Sequence, residues 1–217
     1  MSSDVFSTAI APSFEVQDVT WIADSAAPML SFALGVSETS GREVFTIALT
    51  AQINIDPARR AYDADTREAL VELFGEPERW AATTHSFLFA HATTLVPSFS
   101  GQTTFTLPVP CTYDLEVAAA KYIHSLPDGE VPLSFHFTGS VLYRGDDGQM
   151  QVVLIPWTCS AQWRMPVTSW REMMDHHYPG GGWIRVSDET LAELARHKAQ
   201  RGLHSYDATV NRLLGEG

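Results

Sequence analysis

Apolar side chains alternate with other residues along three long segments of this chain. The alternating positions are Phe45, Ile47, Leu49, Ala51, Ile53 and Ile55; Phe105, Leu107, Val109, Cys111 and Tyr113; and Leu133, Phe135, Phe137, Gly139, Val141 and Tyr143. Successive side chains of a strand point to opposite faces, so a period of two predicts strands with one buried face. The pattern therefore predicts a β architecture and shows no catalytic machinery.

Seven strands are predicted from this alternation and from the turns between the segments. They lie near residues 14–22, 29–37, 44–55, 86–96, 103–113, 131–144 and 149–163. The first strand changes phase, and a bulge near Gln17 and Asp18 would restore it. The last two strands form a hairpin across residues 145–148, which are rich in Gly and Asp.

Helical spacing interrupts the strands twice and dominates after Pro166. Asp65 or Thr66 caps a short helix that ends at Gly75, and Asp114 caps a second helix. We predict a mainly β (α+β) fold, an antiparallel seven-stranded β-sandwich with two helical crossovers. Residues 1–165 would form the sandwich, and residues 166–217 a helical C-terminal appendage packed on it.

The charge of the chain is uneven. The formal net charge is −12, and residues 1–150 carry all of it, with 19 acidic and 7 basic side chains. Nucleic acids and anionic membranes attract positive charge, so neither is an expected partner. No apolar run has the ~20 residues that span a bilayer. The first eleven residues do not resemble a signal peptide, so we expect a cytoplasmic protein.

Metal-binding chemistry has few candidates. Cys111 and Cys159 are far apart, and free thiols are favoured over a disulfide. Candidate metal ligands are His85 and His91, which share a strand face, and His176 and His177, which diverge on a helix. The alternative is that these histidines are ordinary structural or surface residues, and we expect no metal or other cofactor.

Ligand binding is one interpretation of a basic segment after the third strand. The guanidinium groups of Arg59 and Arg60, with Tyr62 close by, can hold a carboxylate or a phosphate. They can equally pair with nearby acidic side chains of the chain itself. Motifs of the common hydrolases and nucleotide-binding enzymes are absent from the sequence, so an enzyme is the less favoured class.

Large aromatic residues concentrate in the second half of the chain. Trp157, Trp170 and Trp183 are candidates for contacts with a partner protein, because tryptophan is enriched in binding hot spots. The alternative is that these rings, with Trp163, seal the helices to the sheet.

A set of short motifs recurs in a familiar order. The set is Arg60-x-Tyr62, Leu73-Phe74-Gly75, Trp80, Tyr113-Asp114, Lys121-Tyr122, Pro132-Leu133-x-Phe135-x-Phe137-x-Gly139, Ile155-Pro156-Trp157 and Pro166-Val167-x-x-Trp170. From about residue 14 to residue 202, the chain resembles a bacterial domain family of unknown function. The resemblance implies a gene neighbourhood shared with [NiFe]-hydrogenases, and it carries over no catalytic residue.

A second likeness, over residues 14–36, is to the bacterial export chaperone that binds unfolded chains. We therefore predict a non-enzymatic protein-interaction or accessory module, with a hydrogenase subunit or maturation factor as the partner that the family resemblance implies. The alternatives are a small-ligand-binding protein or enzyme with an Arg/His pocket, and a chaperone-like binder of unfolded chains.

Overall fold

The alternating segments form antiparallel sheets in the computed structural model, which describes residues 10–111, 117–180 and 186–215. In chain order the strands are β1 (Ser13–Trp21), β2 (Met29–Ser37), β3 (Glu43–Ile55), β4 (Phe87–Val96), β5 (Phe99–Ser100), β6 (Gln102–Pro110), β7 (Glu130–Arg144), β8 (Met150–Leu154) and β9 (Ser160–Pro166). The helices are α1 (Ala64–Phe74), α2 (Trp80–Thr83), α3 (Val117–His124), α4 (Val167–His177), α5 (Asp188–Gln200) and α6 (Tyr206–Gly215), and single 3₁₀ turns lie at Pro57–Arg59 and Pro77–Arg79.

The strands divide into a three-stranded sheet, with the order β1-β2-β6, and a six-stranded sheet. The larger sheet has the order β4-β3-β7-β8, with β5 also paired to β3 and β9 also paired to β7. The helical crossovers are confirmed, since α1 lies between β3 and β4 in the chain and α3 between β6 and β7. The predicted antiparallel, mainly β fold class is therefore confirmed.

The strand count differs from the prediction at two places. The segment predicted as one strand, residues 149–163, forms β8 and β9, because a turn closes where the Cys159 N–H donates to the Pro156 carbonyl at 2.9 Å. The connection between the predicted strands 86–96 and 103–113 contains the short strand β5. The bulge in β1 is confirmed, with the register shift between Val16 and Asp18.

Side chains from both sheets form the core. The ring of Phe32 on β2 meets Phe135 on β7 edge-on, with 5.2 Å between ring centroids. The ring of Phe14 on β1 lies 4.6 Å from that of Phe137. These contacts bury one face of each sheet against the other, as in a β-sandwich.

The alternation of β3 has one exception. Five of the six predicted apolar positions are buried, but Phe45 is exposed and its neighbour Val44 is buried. The register with β7 shifts between Val44 and Thr46, which indicates a bulge at this point. A bulge reverses the phase of the side chains that precede it, so the expectation for Phe45 was wrong.

The first helix begins earlier than the sequence indicated. Asp63, not Asp65 or Thr66, is the N-cap of α1, and its carboxylate accepts a hydrogen bond of 2.8 Å from the Thr66 N–H. Gly75 ends the helix with φ of +75°, a conformation that glycine adopts at little cost. The predicted cap Asp114 lies outside the described residues.

The chain divides after Pro179 into two compact units, residues 1–179 and residues 180–217. The first unit includes α4, which the predicted boundary at residue 165 assigned to the appendage. Trp170 and Met173 of α4 are buried in its core. In the second unit, Ser187 caps α5 by accepting a hydrogen bond of 3.2 Å from the Thr190 N–H.

None of the helices in the described part of the chain is both long enough and apolar enough to cross a membrane.

Candidate functional site

Arg60 and Tyr62 lie in the connection between β3 and α1, where each has partners within the protein. The two terminal nitrogens of Arg60 donate to the carbonyl oxygens of Asp128 and Glu130, both at 2.7 Å. The Tyr62 hydroxyl donates to the Pro57 carbonyl at 2.7 Å. The Arg60 bonds attach the connection to the turn before β7, and the Tyr62 bond joins two parts of the connection. The geometry therefore indicates a structural role for both side chains.

Arg59 lines a cleft of about 490 Å³ beside β7 and β9. Its guanidinium donates to the Gln162 side chain at 2.7 Å, and its carbonyl accepts from Arg164 at 3.1 Å. The indole N–H of Trp163, also in the lining, is buried without a hydrogen-bond partner among the described residues. The whole lining is Asp18, Arg59, Glu130, Pro132, Gln162, Trp163, Arg164 and Pro166, so no histidine contributes to it.

The candidate metal ligands are dispersed. His85 precedes β4, and His91 is exposed on it. The His176 ring lies 4.7 Å from Trp21, with its Nε2 atom 3.1 Å from the Ala23 carbonyl. His177 neighbours it, at 5.3 Å between ring centroids. Within the described residues, no group of three or more His, Cys, Asp or Glu side chains is placed to hold a metal ion.

The three predicted partner-binding tryptophans have different positions. Trp157, in the turn after β8, is 88% exposed. Trp170 is part of the core, where its ring meets Phe89 edge-on at 6.2 Å, so the described fold presents no exposed indole there. Trp183 lies outside the described residues.

The outer face of the six-stranded sheet changes in character along its strands. At one end, a row across the sheet contains His91, Gln52 and His136. The next row is Thr93, Thr50 and Thr138. Beyond them lie two rows with apolar side chains, made of Leu95, Ala48, Ser140 and Leu154 and then of Thr46, Leu142 and Val152.

We call the five apolar side chains of these last rows the apolar patch; its members are Ala48, Leu95, Leu142, Val152 and Leu154. Leu95 and Leu154 are each 71% exposed, and Val152 is 64% exposed. Met150 on β8 and Trp157 add further exposed apolar surface. Isolated exposed apolar residues are common, but a contiguous group on one face is typical of an interaction surface.

Sequence reasoning missed the apolar patch because it assigned one buried face to every strand. A signal was present in β8, where Met150, Val152 and Leu154 share one face while Val153 and Ile155 lie on the other. A strand that is apolar on both faces is typical of burial on both sides. On one face of β8, Val153 is half-buried and the following Ile155 is buried, whereas the other face is exposed.

Solved structures offer only distant likenesses. A late embryogenesis abundant (LEA) protein matches with 12% identity and a TM-score of 0.33, over 72% of this chain and 71% of that chain. The ApaA protein from Bordetella pertussis matches with 9% identity and a TM-score of 0.22, over 72% and 92%. A β-glucosidase from Kluyveromyces marxianus matches with 8% identity and a TM-score of 0.28, over 72% of this chain and 15% of that chain. No conclusion about this chain follows from likenesses at these scores.

No curated protein matches the sequence significantly. A family model does match, and it covers residues 9–217, nearly the whole chain. The predicted resemblance to a family of unknown function is confirmed on this point. The chain belongs to the family of unknown function DUF6084.

Proposed function

We propose that this chain is a non-enzymatic protein-interaction module that binds its partner through the apolar patch. The observation that supports the proposal is the concentration of exposed apolar side chains at one end of the outer face of the larger sheet. Leu95 and Leu154 lie in the same row, on β4 and β8, with β3 and β7 between them. The row therefore spans four strands, a width of about 15 Å at the usual strand spacing.

The energetic basis is the removal of this surface from water. Burying a leucine side chain contributes about 1.5–3 kcal/mol, so a few such residues can support a specific complex. No charged side chain lies in the two apolar rows, so a partner would desolvate no ion there. An uncharged centre is typical of protein interfaces.

The identity of the partner stays a prediction. A hydrogenase subunit or maturation factor is the specific partner that the family resemblance implied, and a cytoplasmic location belongs to the same hypothesis. In the chaperone-like alternative, the patch would bind many unfolded chains rather than one folded partner.

Substitution on β4 tests the proposal. The tagged wild-type protein, Leu95→Lys and Thr93→Lys would each be used to capture partners from a native lysate of the source cells, with mass spectrometry as the readout. Thr93 is a matched control, because it is exposed on the same strand and face, two residues away, in the threonine row. We expect Leu95→Lys to lower partner recovery at least about tenfold, and Thr93→Lys to leave it unchanged.

Equal recovery of the same proteins by all three would overturn the proposal. Recovery of many unrelated chains, all lost with Leu95→Lys, would support the chaperone-like alternative. Thermal unfolding of each variant checks that the fold is retained.

A second candidate function is the binding of a small anion in the cleft beside β9. The unpartnered indole N–H of Trp163 supports it, because a buried donor without a partner costs stability and a ligand can satisfy it. Arg59 and Arg164 contribute positive charge, whereas Asp18 and Glu130 oppose it. The probes would be inorganic phosphate and succinate at about 10 mM, where a Kd near 1 mM raises the melting temperature by about 3–6 °C. The absence of that shift, or a shift that Arg164→Ala retains, would contradict this function.

A further inference from the structure

β8 is an edge strand whose outer backbone groups have no strand partner among the described residues. The Ile155 N–H donates to the Gly139 carbonyl at 3.0 Å, and the Gln149 carbonyl accepts from the Gly145 N–H at 2.8 Å. In an antiparallel pair these bonds recur at every second residue, so the odd-numbered residues of β8 face β7. The backbone groups of Met150, Val152 and Leu154 therefore point away from the sheet.

This edge lacks the features that normally protect an edge strand. Charged residues, proline and bulges usually prevent another strand from pairing. β1, an edge of the smaller sheet, carries Glu15 and Asp18, and β9 carries Arg164 and Pro166. β8 has the sequence MQVVL, with no charge and no proline. Such an edge is a template for pairing with another chain.

We propose that β8 pairs with the β8 of a second copy of this chain, antiparallel and about a two-fold axis at Val152. This inference goes beyond the proposed function, because it concerns the edge of β8 rather than the face of the sheet. In this register Val152 lies opposite Val152 of the other copy, and Met150 opposite Leu154. All three residues turn N–H and C=O outward, so the three pairs form hydrogen bonds in both directions.

Local charge does not oppose a second copy in this register. Residues 145–148 of one copy extend beyond the paired strands, toward residues 156–159 of the other. The first segment carries Asp146 and Asp147, and the second, Pro156 to Cys159, is uncharged. The acidic hairpin tip therefore meets no like charge. Pro156 has no N–H to donate, so the pairing ends there.

The two-fold arrangement also continues the apolar surface. The exposed side chains of β8 in one copy lie beside those of the second, and both unprotected edges are covered at once. A closed two-fold interface covers the β8 edge of both copies, so neither β8 edge stays open for a further chain. Each chain carries a net charge of −12, so long-range repulsion opposes the dimer, and salt should strengthen association.

Val152 provides a charge-swap test, because the two-fold axis places the two copies of this residue opposite each other. The full-length wild type, Val152→Lys, Val152→Glu and an equal mixture of the two variants would be measured by light scattering after size-exclusion chromatography. We expect a wild-type dimer, a loss of affinity of at least about fivefold in each variant alone, and recovery in the mixture as a one-to-one heterodimer. Val152 is 64% exposed, so both variants should fold, and circular dichroism checks this.

Leu95→Lys is the control that separates this inference from the proposed function, since Leu95 is on β4 at the other side of the sheet. It should leave the dimer intact. A wild-type monomer at about 300 µM in 0.3 M salt would overturn the dimer, as would a dimer that neither Val152 variant weakens. Neither result would overturn the proposed function, because partner capture that is lost with Leu95→Lys does not depend on the dimer. A confirmed dimer with no partner lost by Leu95→Lys would overturn the proposed function alone.

Discussion

The hydroxyl oxygen of Tyr122 on α3 lies 2.7 Å from that of Tyr62 in the connection between β3 and α1. Because the Tyr62 hydroxyl donates its proton to the Pro57 carbonyl, Tyr122 is the donor to Tyr62. Burial raises the pKa of both phenols, so both stay protonated at neutral pH. The chain of hydrogen bonds links two helical crossovers that are about 60 residues apart in sequence.

The tyrosine pair predicts unequal effects of two similar substitutions. Tyr122→Phe removes one donor and should lower the free energy of unfolding by about 0.5–1.5 kcal/mol. Tyr62→Phe leaves both the Pro57 carbonyl and the Tyr122 hydroxyl without this partner, and should cost about 1–3 kcal/mol. Urea unfolding of the two variants and the double variant measures the coupling. Additive losses would show that the two hydroxyls do not interact.

Gly139 should tolerate no side chain. It has φ of +140°, and a Cβ atom there would lie 1.9 Å from the Ala48 carbonyl oxygen on β3. We expect Gly139→Ala to lower the free energy of unfolding by roughly 3 kcal/mol or more, from backbone strain and this clash. Gly41→Ala is the control, since its φ is also positive, +78°, but its surroundings are open. It should cost only about 1–2 kcal/mol, and equal losses at both sites would contradict the clash.

Arg60 should matter for stability rather than for ligand binding. Arg60→Ala removes two hydrogen bonds to the turn before β7 and should cost about 1–3 kcal/mol. Arg60→Lys should recover little of the lost stability, because an ammonium group does not reproduce the two donors of a planar guanidinium group. Arg67→Ala, at an exposed position of α1, is the control and should change stability by less than about 0.5 kcal/mol. Chemical unfolding of the three variants provides the measurement. An unchanged free energy of unfolding in Arg60→Ala would refute the structural role.

Alanine substitution should affect stability strongly at one tryptophan and hardly at another. Trp170→Ala empties a core site and should lower the free energy of unfolding by roughly 3–5 kcal/mol. Trp157→Ala removes an exposed ring and should change stability by less than about 0.5 kcal/mol. Thermal and urea unfolding compare the two. A large loss for Trp157→Ala would mean that the exposed ring has a stabilising contact within the protein.

Alkaline pH should destabilise the protein through Cys111. Burial raises the pKa of this thiol from its ordinary value of 9.0 to about 12. Above pH 9 the unfolded chain loses this proton while the folded chain keeps it, so the free energy of unfolding falls as pH rises from about 9 to 12. The raised pKa values of Tyr62 and Tyr122 act in the same direction above pH 10.

Urea unfolding between pH 8 and pH 10.5 checks this expectation. Cys111→Ala should flatten the decline relative to the wild type. Cys159→Ala should flatten it less, because that thiol is only partly buried. Parallel profiles for the wild type and Cys111→Ala would rule out this contribution of the thiol.

Side-chain spacing by itself determined most of the strands, the two helical crossovers and most of the core. The positions Ile47 to Ile55 on β3 and Leu133 to Val141 on β7 could be predicted because alternate side chains of a strand share a face. Helix caps were less certain, since Asp63, Asp65 and Thr66 are all competent cap residues and only one of them accepts the bond.

Only the tertiary structure decided most of the strand pairing and which surfaces stay uncovered. β8 and β9 both pair with β7, and that pairing leaves the outer edge of β8 without a strand partner among the described residues. The hairpin of β7 and β8 could be predicted from its turn, but the pairing of β7 with β3 and β9 joins residues that are more distant in sequence, and no local pattern encodes it. For the same reason, the apolar patch from Leu95 to Leu154 could not be read from the sequence: its members come from four strands and meet only in the folded sheet.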